Sequence, residues 1–118
     1  MIDTFYSSVA GINAFFRKMN VTANNVANIN TDNFKRGIAK IAEGKNGLPE
    51  TVITTDRTPG LEYLPNPGKP EGSPHQMSNV NYADEAVSMI EARIGVKANV
   101  NALRTAGETY GWFLDIMA

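Results

Sequence analysis

The 118-residue chain has no cysteine, a single histidine, a single tryptophan and no apolar run approaching the roughly 20 residues that span a bilayer. Without cysteine there is no disulfide framework and no thiolate metal site, and the redox compartment stays open. His75, set among Pro, Ser and Gln, reads as a solvated loop residue and leaves neither a two-histidine metal site nor a Ser/His/Asp triad. No GxGxxG or P-loop glycine pattern occurs. A formal net charge of -1 removes the electrostatic drive towards nucleic acid or an anionic membrane. Met1-Ile-Asp-Thr-Phe-Tyr-Ser-Ser lacks the basic start and continuous apolar core of a secretory signal, so export, if it occurs, is expected to use no cleaved signal. These absences leave no catalytic, cofactor-binding or metal residues to nominate and no small-molecule substrate to expect. A small hydrolase is correspondingly disfavoured.

Proline is also absent from residues 1–30 and 80–118, whereas all six prolines and six of the ten glycines fall between Gly37 and Pro74. Long helices need such proline-free ends. The chain divides into a seam helix over 1–30, an asparagine-rich helix exit over 31–36, a Pro/Gly-rich middle with short strands over 37–78, and a C-terminal helix over 79–118. Ile2, Phe5, Val9, Ile12, Phe16, Met19, Ala23 and Val26 keep the alternating three- and four-residue spacing of a helix seam. At the other end Val80, Ala83, Val87, Ile90 and Ile94 form one stripe. Val96, Val100, Leu103, Gly107, Tyr110, Leu114 and Met117 form a second, starting two residues late near Gly95. Asn81 is placed to cap this helix by accepting from the amide of Asp84, and Asp84 and Glu85 suit the positive end of its dipole. A helix over 81–117 would be roughly 55 Å long, too long to bury both stripes against one partner.

In the middle, Thr51–Thr55 and Leu61–Leu64 are plausible strands joined through a Pro59-Gly60 turn, and Pro65–Pro74 is expected to be an extended or disordered loop. The stretch "NVTANNVANINTDNFKR", Asn20 to Arg36, holds six asparagines in seventeen positions. Asn24, Asn25 and Asn28 are three and four residues apart. Their amides, each donor and acceptor, suit a helix end whose last carbonyls need partners.

This stretch resembles the N-terminal signature of flagellar basal-body rod and hook proteins, with Asn24, Asn25, Val26, Ala27, Asn28, Asn30, Thr31, Phe34 and Lys35 in place. Residues from Ser78 to Ile116 are similar to the terminal helix of the same family, through Ser78-Asn79-Val80, Glu85, Val87, Met89-Ile90-Glu91-Ala92, Ala98-Asn99, Thr105-Ala106, Glu108, Leu114 and Ile116. The order and the loop "LEYLPNPGKPEG" look most like the short proximal rod proteins. Asn33 stands where the family usually carries glycine, which implies a positive backbone φ there.

The resemblance implies a mainly α fold. Long N- and C-terminal helices would pair as an antiparallel coiled coil around a small β/turn-rich middle. It further implies a structural subunit that is exported through the flagellar type III apparatus without a cleaved signal. Its partners would be copies of itself and other rod and hook-basal-body proteins in the periplasm-spanning rod. The interface residues expected on this basis are Ile2, Phe5, Val9, Ile12, Phe16, Met19, Val26, Val87, Ile90, Ile94, Val100, Leu103, Tyr110 and Leu114. The motif residues are Asn24, Asn25, Asn28, Asn30, Thr31, Asn33, Phe34 and Lys35. A cytoplasmic helical-hairpin adaptor, forming a discrete monomer or dimer, is the alternative.

Overall fold

The computed structural model describes residues 2–63 and 75–117, with the side chain of Ile2 outside it. Two helices dominate: α1 spans Ile2–Ala27 and α2 spans Tyr82–Met117. Asn81 caps α2, its side-chain oxygen accepting from the amide of Ala83 at 2.9 Å rather than from Asp84, while its carbonyl accepts from Glu85 at 3.1 Å. Gly11, Phe15 and Lys18 of α1 lie against Asn99, Gly95 and Glu91 of α2. Numbers rise on one helix as they fall on the other, so the helices run in opposite directions.

The face of α1 that is out of water is not the expected one. Ser8, Gly11, Ala14, Thr22 and Asn25 are buried, and Phe15 and Lys18 are half-buried, while Val9, Phe16 and Ala23 are exposed. The contact stripe 8, 11, 15, 18, 22, 25 is the expected stripe displaced by one residue, a rotation of about 100°. On α2, Glu85 and Ala92 are buried and Ser88, Gly95 and Asn99 half-buried, whereas Val87, Ile90, Ile94 and Val100 are exposed. The helices therefore meet through small and polar residues. Close approach explains this choice: a β-carbon on Gly95 would overlap the Phe15 ring, and one on Gly11 would lie 2.5 Å from Asn99 Oδ1. Gly95, where the sequence pattern changes register, is a packing position.

The strands differ from expectation as well. β1 (Gly37–Glu43) and β2 (Pro49–Thr55) pair antiparallel, from Gly37 opposite Thr55 to Glu43 opposite Pro49. Their turn is built on Gly47 at φ +72°, with the Gly44 amide donating to the Leu48 carbonyl at 2.8 Å. This is the left-handed residue that closes a short hairpin loop. β3 (Glu62–Tyr63) pairs with β4 (His75–Gln76) instead of with β2. His75 thus lies in a strand, its ring stacked on Tyr63 at 5.7 Å between centroids. Gly60 passes so close to the Met77 carbonyl that any β-carbon there would overlap backbone. The expected loop Pro65–Pro74 and Leu64 lie outside the described residues.

The β1–β2 hairpin lies against α1, where Thr51, itself buried, donates its hydroxyl to the Ala14 carbonyl at 2.8 Å. Among the described residues the only buried hydrophobic side chains are Ala14 and Ala92. The molecule measures 80 × 25 × 16 Å, and its radius of gyration of 21.0 Å exceeds the roughly 13 Å of a compact chain this long.

Candidate assembly site

The asparagine stretch forms the junction at which α1 ends and the chain turns into the hairpin. Asn25, with 1% of its surface exposed, donates from Nδ2 to the Gly37 carbonyl at 2.7 Å and accepts from the Gly37 amide at 2.9 Å. One side chain thereby satisfies both backbone groups of the first residue of β1, which a hydrophobic residue of similar size cannot do. Asn28 donates to the Asn24 carbonyl at 2.9 Å and accepts from the Thr31 hydroxyl at 3.2 Å. Asn24 enters this network through its carbonyl, its side chain being exposed, and Asn30 is exposed. The shared amide network expected of Asn24, Asn25 and Asn28 thus divides into two devices: Asn25 holds the strand and Asn28 the helix end.

Asn33 has φ +59°, alone among the described non-glycine residues in having a positive φ. The left-handed backbone expected from the glycine usual at this position is present. It aims the Asn33 amide at the Gln76 carbonyl, 2.8 Å away. Beyond it, Lys35 Nζ donates to the Thr58 carbonyl at 3.2 Å and to Gln76 Oε1 at 3.1 Å.

Three junction residues were not singled out from the sequence for these roles. Asn79 accepts from the Arg36 amide at 2.7 Å and donates to the carbonyls of Asp56 and Thr58, both at 3.0 Å. Arg36 Nε lies 2.7 Å from Oε1 of Glu85, a residue only 1% exposed, and Nη1 lies 3.3 Å from Asp84 Oδ2. The Nε–H does not point at Oε1, so the contact is a close ion pair rather than a hydrogen bond. A buried carboxylate needs such a partner. Its only sequence signal is a lone arginine next to the motif and an acid in the first turn of α2.

Two groups at the margin are shifted by their partners. The amide and hydroxyl of Thr58 hold the Asp56 carboxyl below its ordinary range, and the Asp32 carboxylate, accepting from the Tyr63 hydroxyl at 2.7 Å, raises the Tyr63 phenol. Among the described residues no group of three or more His, Asp or Glu is placed to hold a metal ion, and no helix is long and apolar enough to cross a membrane.

The junction and most of α1 carry a likeness to known proteins. Residues 5–35 match the family model of the flagella basal body rod protein. This N-terminal segment is similar to the flagellar basal body rod family. The matched segment runs from Phe5 through Asn24, Asn25, Asn28 and Asn33 to Lys35, so it covers the N-terminal motif in full and stops short of α2. The family is a structural one. No curated protein matches the chain.

The nominated interface residues are divided by the fold. Phe5, Ile12, Met19, Val26 and Leu103 are half-buried, while Val9, Phe16, Val87, Ile90, Ile94, Val100, Tyr110 and Leu114 are exposed. The exposed ones lie on faces the chain does not cover. From Gly107 onward α2 has no partner among the described residues: Gly107 and Gly111 have open space where a β-carbon would stand, and Trp112 and Ile116 are 69% and 84% exposed.

Proposed function

We propose that this chain is a structural subunit of the bacterial flagellar basal-body rod, of the proximal kind, whose exposed helix stripes are covered by neighbouring subunits. Within the assembly the two antiparallel helices form one element of a larger coiled-coil packing, and the neighbours are copies of this chain and other rod and hook-basal-body proteins. Export proceeds through the type III apparatus without a cleaved signal. The observation that carries the reading is the inversion of the two faces: the helices meet through Gly11, Asn99, Thr22 and Ala92, while Val9, Phe16, Val87, Ile90 and Ile94 face water. Apolar stripes at helical spacing left outside one chain are the surfaces that oligomers bury.

Hydrogen exchange tests this. Dilute protein is expected to show weak protection over residues 2–20 and 100–117 and to gain protection there on self-association. Val87→Asp, on the outward face, is expected to leave the single chain folded and to block incorporation into rods, whereas Ser88→Asp, half-buried on the contact face, destabilises the chain itself. Strong protection of both ends in a verified monomer, or normal incorporation of Val87→Asp, refutes the reading in favour of a self-contained helical adaptor.

A further inference from the structure

A groove of about 520 Å³ runs between the C-terminal half of α1 and the β1–β2 hairpin, at the opposite end of the helix pair from the free end of α2. Val21 and Phe34, both half-buried, and Ile53, 55% exposed, give it an apolar floor; Arg17 and Lys35 are its only charged lining residues. We propose that this groove receives the last turns of α2, Trp112 to Met117, from a second copy of the chain. The proposal rests on the rod reading above and specifies one contact within it.

Two complementarities select this occupant. The free end presents Trp112, Phe113 and Ile116 to water, a small apolar segment whose one charge is Asp115, and the groove offers an apolar floor with charge of the opposite sign. The last turn of α2 also contains no basic residue, and Asp115 is paired with no cation among the described residues. Arg17, engaged by no carboxylate among the described residues, supplies one from the neighbour.

The two surfaces are different and lie at different ends, so the contact is heterologous. Such a contact does not close into a dimer; it leaves a free tail and a free groove at each step and propagates as a filament. Level with Phe15 on α1 is Gly95 on α2, and the tail begins seventeen residues further on. Seating it beside residues 17–25 of the next molecule displaces that copy by roughly 35 Å along the helix axis at 1.5 Å per residue.

Trp112 is the sole tryptophan, so its emission reports on the tail alone. With rising concentration the wild-type emission should move to shorter wavelength as assemblies form. Ile53→Asp removes the groove and Trp112→Asp the tail. Both residues are exposed in the single chain, so both variants should keep the wild-type circular dichroism and self-associate at least about tenfold more weakly. Mixed together they should form a heterodimer and nothing larger, because the tail of the Ile53→Asp copy still fits the groove of the Trp112→Asp copy. The emission in that mixture comes only from the docked tail, and it should shift. Wild-type assemblies in which Trp112 stays water-exposed, or a mixture that remains monomeric, overturn the tail-in-groove contact while leaving the rod reading standing. A wild-type chain that stays monomeric at all concentrations overturns both.

Discussion

The two ends of the helix pair are built on opposite rules. At the asparagine junction polar groups lie inside: Asn25, Thr22 and Glu85 are buried, Asn25 is hydrogen-bonded to both backbone groups of Gly37, and Glu85 is paired in charge with Arg36. At the free end of α2 apolar groups lie outside, with Trp112, Phe113, Leu114 and Ile116 all at least half exposed. The difference separates two tasks. Hydrogen bonds and a charge pair demand fixed geometry and suit a junction that must take one shape within the chain, whereas apolar area is non-directional and suits a surface to be covered later. Stability of the single chain and capacity to assemble should therefore be sensitive to different residues.

The largest effect expected from breaking this division is at Arg36. Arg36→Ala strands the buried Glu85 carboxylate and should cost about 3–5 kcal/mol in denaturant unfolding of the dilute chain, whereas Trp112→Ala should stay within about 0.5 kcal/mol. Equal losses would show that the free end is part of the folded core. Next comes Asn25→Leu, which leaves both Gly37 backbone groups without partners and should cost about 2–3 kcal/mol, against almost nothing for the exposed Asn24→Ala. At Asn33 the effect is one of backbone strain. Asn33→Val is expected to lose about 1–2 kcal/mol and misdirect Phe34, while Asn33→Gly is neutral or mildly favourable in thermal melts. Smaller still, and of opposite sign along one helix, are two glycine substitutions: Gly107→Ala should stabilise by up to about 1 kcal/mol, since nothing opposes the added methyl, but Gly95→Ala forces the Phe15 ring aside and should lower the melting temperature.

The mildest effect expected is on pH dependence at Tyr63. Its phenol is raised above 10.0 by Asp32, so this bond stabilises the fold fully below pH 10.0 and is lost as pH rises through the raised value. A phenolate absorbance titration, taken as the difference between wild type and Tyr63→Phe, should show a midpoint above 10.0 that falls in Asp32→Asn.

Much of the backbone was readable from residue chemistry because it depends on single positions. The extent of α2, its Asn81 cap and the left-handed Asn33 follow from what one side chain can do with its own backbone. The phase of the helix contact was not readable in that way. Apolar periodicity marks a face suited to burial, but not whether the chain itself covers it. The intrachain face consists of Ser8, Gly11, Thr22 and Asn25, whose value lies in permitting close approach, a quantity hydropathy does not register. β1 was missed because Ala39, Lys40 and Ala42 are weak strand formers. The strand is held by Asn25 at one end and by the Asn46-Gly47 turn at the other, and that turn was the overlooked signal. The pairing expected between Thr51–Thr55 and Leu61–Leu64 failed for the same reason: β2 already had its partner.

The clamp between Asn25 and Gly37 also has a consequence for the order of events during folding. It joins groups only 12 residues apart, and the Thr51–Ala14 bond joins groups 37 apart, whereas Lys18 meets Glu91 across 73. Loop-closure entropy favours the shorter connections. As the chain emerges N-terminus first, α1, the junction and the hairpin can close on themselves while α2 is still unstructured, with Glu85 completing the ion pair last. In refolding kinetics this makes docking of α2 the late step: Gly95→Ala should speed unfolding and leave the folding rate nearly unchanged, and Asn25→Leu should slow folding.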